Sequence, residues 1–70
     1  MTSIIAKRPE ITKTRVKCGL SLDALSTKCG LTKETLCKVE GGRKVRPKNA
    51  AKICDALGCD FDEIFVTQEN

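Results

Sequence analysis

The segment from Leu22 to Gly41 constrains the fold of this chain more tightly than any other. It holds two helix-length stretches, Leu22–Cys29 and Lys33–Glu40, separated only by Gly30-Leu31-Thr32. In the first stretch Leu22, Leu25 and Cys29 recur at i, i+3 and i+7, the spacing of a single helix face. In the second, Leu36 and Val39 form the inner face. Ser21 and Thr32 stand where an N-cap side chain accepts a hydrogen bond from the first turn. Asp23 falls in a first turn, where the helix dipole favours an anion. Gly30 supplies the positive φ that so tight a connection requires. Two helices joined this closely must cross steeply, with the second protruding. Leu31, Leu36 and Val39 then lock the second helix onto Leu25, and Ser26 is small enough to sit where the two approach.

The rest of the chain also reads as short helices. One spans about Pro9 to Cys18, with Pro9 suited to a first helical position and Ile11 sharing a face with the stem of Arg15. Another runs from Pro47 to Leu57, turning Ala50, Ile53, Cys54 and Leu57 inward. A fifth covers Phe61 to Phe65, with Asp60 and Glu63 spaced for a reciprocal cap. Its Phe61, Ile64 and Phe65 close the core. Gly19, Gly30, Gly41 and Gly58 each follow a helical stretch, as left-handed C′ residues do. Residues 1–8 read as a flexible basic arm, although Ile4 and Ile5 can reach the core. Residues 66–70 are expected to fray. No segment alternates apolar and polar residues for long enough to make a half-buried strand. The reading is all-α, with five helices in one domain over residues 9–65.

Charge is distributed unevenly. The chain carries 13 Lys and Arg against 9 Asp and Glu, a net +4. Every cation lies at or before Lys52, and only Asp55, Asp60, Asp62, Glu63 and Glu69 follow it. A polyanion is drawn to the first three-quarters of such a chain and repelled by the last. With no Trp, no Tyr and 2 Phe, the core must come from Leu, Ile, Val, Ala and Cys. No apolar run approaches the roughly 18–20 residues of a membrane span, and no apolar signal region opens the sequence. The 5 cysteines are an odd number, which suits a reducing compartment better than a disulfide framework. A cytoplasmic protein is expected. No C-x-x-C pair and no His are present, so neither a metal site nor a cofactor is expected. No P-loop or nucleophile elbow suggests an enzyme.

Several fixed-register elements carry a family likeness: Gly19-Leu20-Ser21, Leu25, Gly30-Leu31-Thr32, Leu36 and Val39-Glu40-x-Gly42, continuing through Arg46-Pro47 and Ala56-Leu57-Gly58 to Asp62-x-x-Ile64-Phe65. Together they resemble the Cro/C1-type (XRE) helix-turn-helix family, and small lambdoid phage repressors in particular, over about residues 11–65. The resemblance implies a compact five-helix, lambda-repressor-like domain. It also implies binding to double-stranded operator DNA, usually as a two-fold pair on a pseudo-palindrome.

Carried over by position, Thr32, Lys33, Glu34 and Lys38 lie where the family's recognition helix meets DNA. Helical spacing agrees, since with Leu36 and Val39 inward, Lys33, Glu34, Cys37 and Lys38 face outward. Lys33 and Lys38 can donate to guanine O6 and N7, and Glu34 can accept from cytosine N4. Thr32 can touch phosphate near the positive end of the helix dipole. Arg43, Lys44, Arg46 and Lys48 form a second basic cluster suited to the DNA backbone. The resemblance places Arg15 and Glu40 as a semi-buried structural ion pair. Three positions depart from the pattern. Leu22 replaces a frequent Gln, Glu34 sets an anion near a polyanion, and Gly41 stands where Asn is frequent. Cys29, Cys54 and Cys59 read as small core hydrophobes, while Cys18 and Cys37 read as exposed. The function expected is sequence-specific transcriptional regulation, as a repressor of phage, mobile-element or bacterial origin. The alternative is a protein-binding module of antirepressor or antitoxin type, to which Leu22 and Cys37 would offer apolar area.

Overall fold

The computed structural model describes residues 1–69. Helices α1 (Glu10–Lys17), α2 (Leu22–Cys29), α3 (Lys33–Glu40), α4 (Pro47–Leu57) and α5 (Phe61–Ile64) are flanked by two strands, β1 (Thr2–Ala6) and β2 (Phe65–Glu69). Local chemistry starts and stops the middle helices. Ser21 Oγ accepts from Ala24 N, and Thr32 Oγ1 accepts from Thr35 N. Pro47 stands in the first turn of α4, and Gly30 and Gly58 end α2 and α4 in the left-handed conformation. α3 ends at Glu40 as expected, but the left-handed turn comes one residue later than expected. Gly41 stays right-handed and its N–H still bonds Cys37 O, so it is Gly42, at φ +93°, that turns the chain.

The core is one cluster. Ile11, Leu25, Leu36, Ile53, Ile64 and Phe65 are its largest fully buried side chains. Leu20, Leu22, Leu31, Cys54, Cys59 and Phe61 pack around it half-buried. At about 1.5–3 kcal/mol for each large apolar side chain buried, these contacts, rather than helix propensity, hold such short helices together.

The all-α expectation needs correction, because a two-stranded antiparallel sheet is present. Its strands come from the segments expected as a loose arm and a fraying tail. Ala6 faces Phe65, Ile4 faces Thr67 and Thr2 faces Glu69. Residue 70, the end of the expected tail, lies outside the described residues. Phe65, expected as the last residue of α5, is instead extended and opens β2. Asp60 makes no side-chain cap, so the reciprocal cap with Glu63 does not form. One physical reason underlies both the sheet and the extended Phe65. Each strand offers only five residues, too few to show a period, and neither has a partner until the other end of the chain arrives. Once paired, Ala6 and Phe65 are sealed against the helices at 5% and 1% exposure, which favours strand over a further half-turn of helix.

β1 is bordered on its other side as well. Val45 N donates to Ile4 O at 2.8 Å, forming an isolated antiparallel bridge. The loop after α3 is thereby fastened to the sheet.

Candidate nucleic-acid interface

α2 and α3 meet around Leu25, Leu36 and Val39, all buried. Ser26 Oγ donates to Leu31 O across the turn between them, so the connection is fixed by a hydrogen bond as well as by packing. With that face committed, Lys33, Glu34, Cys37 and Lys38 are all exposed on the outer side of α3. Lys33 is not a free cation in this arrangement, because its Nζ lies 3.5 Å from Asp23 Oδ1 on α2. Thr32 spends its oxygen on the cap, and its hydroxyl also lies 2.8 Å from Thr35 Oγ1. When Thr35 donates in that contact, the Thr32 proton is left for an outside acceptor.

The second basic cluster owes its placement to the strand bridge. Val45 is buried at 7% exposure and its backbone is tied to Ile4, so the flanking Lys44 and Arg46 must point away from the core. Arg46 also caps α4 by position, and Lys48 lies exposed in the first turn of that helix. Between α3 and this loop runs an open groove of about 690 Å³. Val39 and Val45 line it on the protein side, with Lys38, Arg43, Lys44 and Arg46 around it. Thr35 and Asn49 complete the lining, two polar side chains that sequence reasoning did not single out. Thr35 precedes Leu36 by one position on α3, and Asn49 lies two residues into α4, so neither carried a pattern of its own.

The end of α3 is held by a polar network. Arg15 Nε donates to Glu40 Oε2 at 2.8 Å and Nη2 to Oε1 at 3.4 Å. Thr12 Oγ1 donates to Glu40 Oε1 at 2.7 Å, and Arg15 Nη1 donates to Leu20 O at 2.7 Å. One carboxylate thus ties α3 to α1 and to the loop before α2. Thr12 was not foreseen, although its i, i+3 relation to Arg15 puts both on one face.

The thiols divide by burial. Cys29 is buried, Cys54 and Cys59 are half-buried, and Cys18 and Cys37 are exposed. Burial pushes the Cys59 thiol up to about 11 and raises that of Cys54. Among the described residues no group of three or more Cys, Asp and Glu is placed to hold a metal ion. No helix among the described residues is long and apolar enough to cross a membrane.

Two capped helices joined through a left-handed glycine, the second turning a polar face outward, define a helix-turn-helix protein. The helix-turn-helix family model matches residues 11–64, and the chain belongs to that family, in its Cro/C1-type (XRE) branch. The match ends at β2 and begins after β1, so the sheet lies outside it. Among solved structures, the chain is similar to the transcriptional regulator VanUg in its crystal form II. The identity is 20% and the TM-score 0.74, over 97% of this chain and 91% of that one. At that identity the likeness is one of fold. Comparison with curated proteins returns no match.

Proposed function

We propose that this protein is a DNA-binding transcriptional regulator that reads the major groove with α3. The observation that carries the reading is the joint placement of α3 and the loop from Gly42 to Arg46. Packing presents one polar helix face, and the Val45–Ile4 bridge sets a row of cations beside it. Lys38 and Glu34 are the base-reading residues, with Lys33 available once it leaves Asp23. Thr32, Arg43, Lys44, Arg46 and Lys48 bind backbone phosphates and set the register. Arg15 and Glu40 belong to the scaffold, since their charges are spent on each other, on Thr12 and on Leu20.

A single domain of this size reads few bases, so useful specificity requires two copies on a pseudo-palindromic operator. The cytoplasmic repressor role, of phage, mobile-element or bacterial origin, rests on the likeness to lambdoid repressors. The protein-binding alternative loses part of its support, because Leu22 packs half-buried against the core and offers little apolar surface to a partner. Selection of bound sequences from random duplex DNA tests binding, half-site symmetry and base preference together. Affinity for the selected site should fall with salt at a slope of about −0.9 for each phosphate neutralised. Failure to enrich any sequence, together with salt-indifferent retention, would sink the proposal.

A further inference from the structure

Arg8 lies in the segment expected as a loose arm, yet its neighbour is firmly held. Lys7 N donates to Ile64 O at 2.8 Å, Lys7 O accepts from Ile11 N at 3.0 Å, and Lys7 Nζ donates to Asp62 O. From this anchor the Arg8 side chain crosses to the loop after α3 and lies over Gly42. Its Cδ and Nη1 are each 3.4 Å from the point a Cβ on Gly42 would occupy. A Cβ at position 42 would therefore lie in van der Waals contact with the Arg8 side chain. Gly42 is also part of the lining of the basic groove beside Lys38, Arg43, Lys44 and Arg46.

This gathering of charge has no internal compensation. Among the described residues Arg8, Lys38, Arg43, Lys44 and Arg46 take part in no salt bridge, whereas Arg15 and Lys33 do. Arg8 is exposed, so its guanidinium keeps its donors for an outside acceptor. Like charges brought together by folding repel one another, and the repulsion is relieved when an anion enters. A guanidinium presents a planar fork that matches two phosphate oxygens.

We propose that Arg8, seated on Gly42, is a phosphodiester-binding residue that extends the backbone contacts of the groove from the β1–α1 junction. The proposal rests on the DNA-binding reading given above. Its ligand class is a backbone phosphate of the duplex, held without regard to base. Gly42 turns the chain at positive φ and brings its backbone under the Arg8 side chain.

The test is a salt titration of binding by Arg8→Ala, Arg8→Lys and the unaltered chain, on the selected operator and on a random duplex. Arg8→Ala should flatten the plot of log K against log salt by about 0.9, the value of one phosphate contact. The change should be equal on both duplexes, with base preference intact. Arg8→Lys should keep the slope, because the charge remains, but bind more weakly because the two-pronged geometry is gone. Ethylation of one backbone phosphate should hinder the unaltered chain and make no difference to Arg8→Ala. An Arg8→Ala slope equal to that of the unaltered chain, while the latter binds with its own steep slope, overturns the proposal. A shift in base preference does so too. If the unaltered chain shows no salt-sensitive binding, the DNA-binding reading fails first. Thermal melts of both variants should match the unaltered chain. If Arg8→Ala alone melts early, the Arg8→Lys comparison and the ethylation pattern decide.

Discussion

Replacing Arg15 with Ala should destabilise the domain far more than the loss of an ordinary surface cation. Arg15 and Glu40 have side chains only 13% and 12% exposed. Removing the guanidinium leaves the Glu40 carboxylate with Thr12 as its remaining partner and leaves Leu20 O without its donor. Breaking a fully buried pair from one side costs roughly 3–5 kcal/mol. The residual water access here lowers that figure, and about 2–3 kcal/mol is expected once the lost hydrogen bond to a backbone carbonyl is included. A 70-residue domain has only about 4–10 kcal/mol of stability in all, so the change is a large share of the total. At about 4–8 °C per kcal/mol for a domain of this size, the midpoint should fall by roughly 10–20 °C. Thermal melts followed by circular dichroism measure it, with Lys17→Ala on the exposed side of α1 as the control. The double variant Arg15→Met, Glu40→Leu is the sharper comparison. It removes both charges, so it should recover most of the loss. An Arg15→Ala melt within about 0.5 kcal/mol of the unaltered chain, the range of surface changes, would refute the reasoning. A double variant as unstable as the two single changes summed would do so equally.

Three further outcomes are expected. Lys38→Ala should alter which operator is preferred, with about 1–3 kcal/mol of discrimination lost at one base position, as read by repeating the sequence selection. Val45→Ala should cost about 1–2 kcal/mol from lost burial. It should weaken DNA binding without changing the salt slope, because it loosens the loop but removes no charge; a flattened slope would show that Val45 does not act through positioning. For the thiols, iodoacetamide followed by mass spectrometry should label exposed Cys18 and Cys37 first, ahead of buried Cys29 and half-buried Cys54 and Cys59. Labelling of Cys59 should keep rising with pH towards about 11. Its raised folded value also means that the unfolded chain releases the proton first, so stability should decline between about pH 9 and 11 and be unaffected by this group below that window.

The helices around the turn were legible in the residues themselves. Leu22–Cys29, Lys33–Glu40 and Pro47–Leu57 run as their starts and apolar spacing indicate, and Gly30 and Gly58 end the first and last of them as expected. These signals are local: a cap acts within three residues and a helix face repeats within four. The outward face of α3 was readable for the same reason, since committing Leu36 and Val39 to the core leaves the other positions outside. The candidate site was legible only as far as such local rules reach. They placed Lys33, Glu34 and Lys38 on a helix, but said nothing of the Asp23 that Lys33 meets on α2.

Tertiary structure alone decided the remainder. β1 and β2 stand at opposite ends of the chain, and neither has the length or alternation to mark itself as a strand. Strand formation depends on the partner and on burial more than on intrinsic preference, and here the partner arrives only after five helices have packed. The same long-range pairing draws Val45 to Ile4 and so aims Lys44 and Arg46 outward. It also carries Arg8 across to Gly42, a contact between residues 34 positions apart that leaves no periodic trace. The residues by themselves determined a helix-turn-helix with a charged outer face. Which further cations stand beside that face depended on chain ends meeting, and contacts that close large loops are not written in any local stretch.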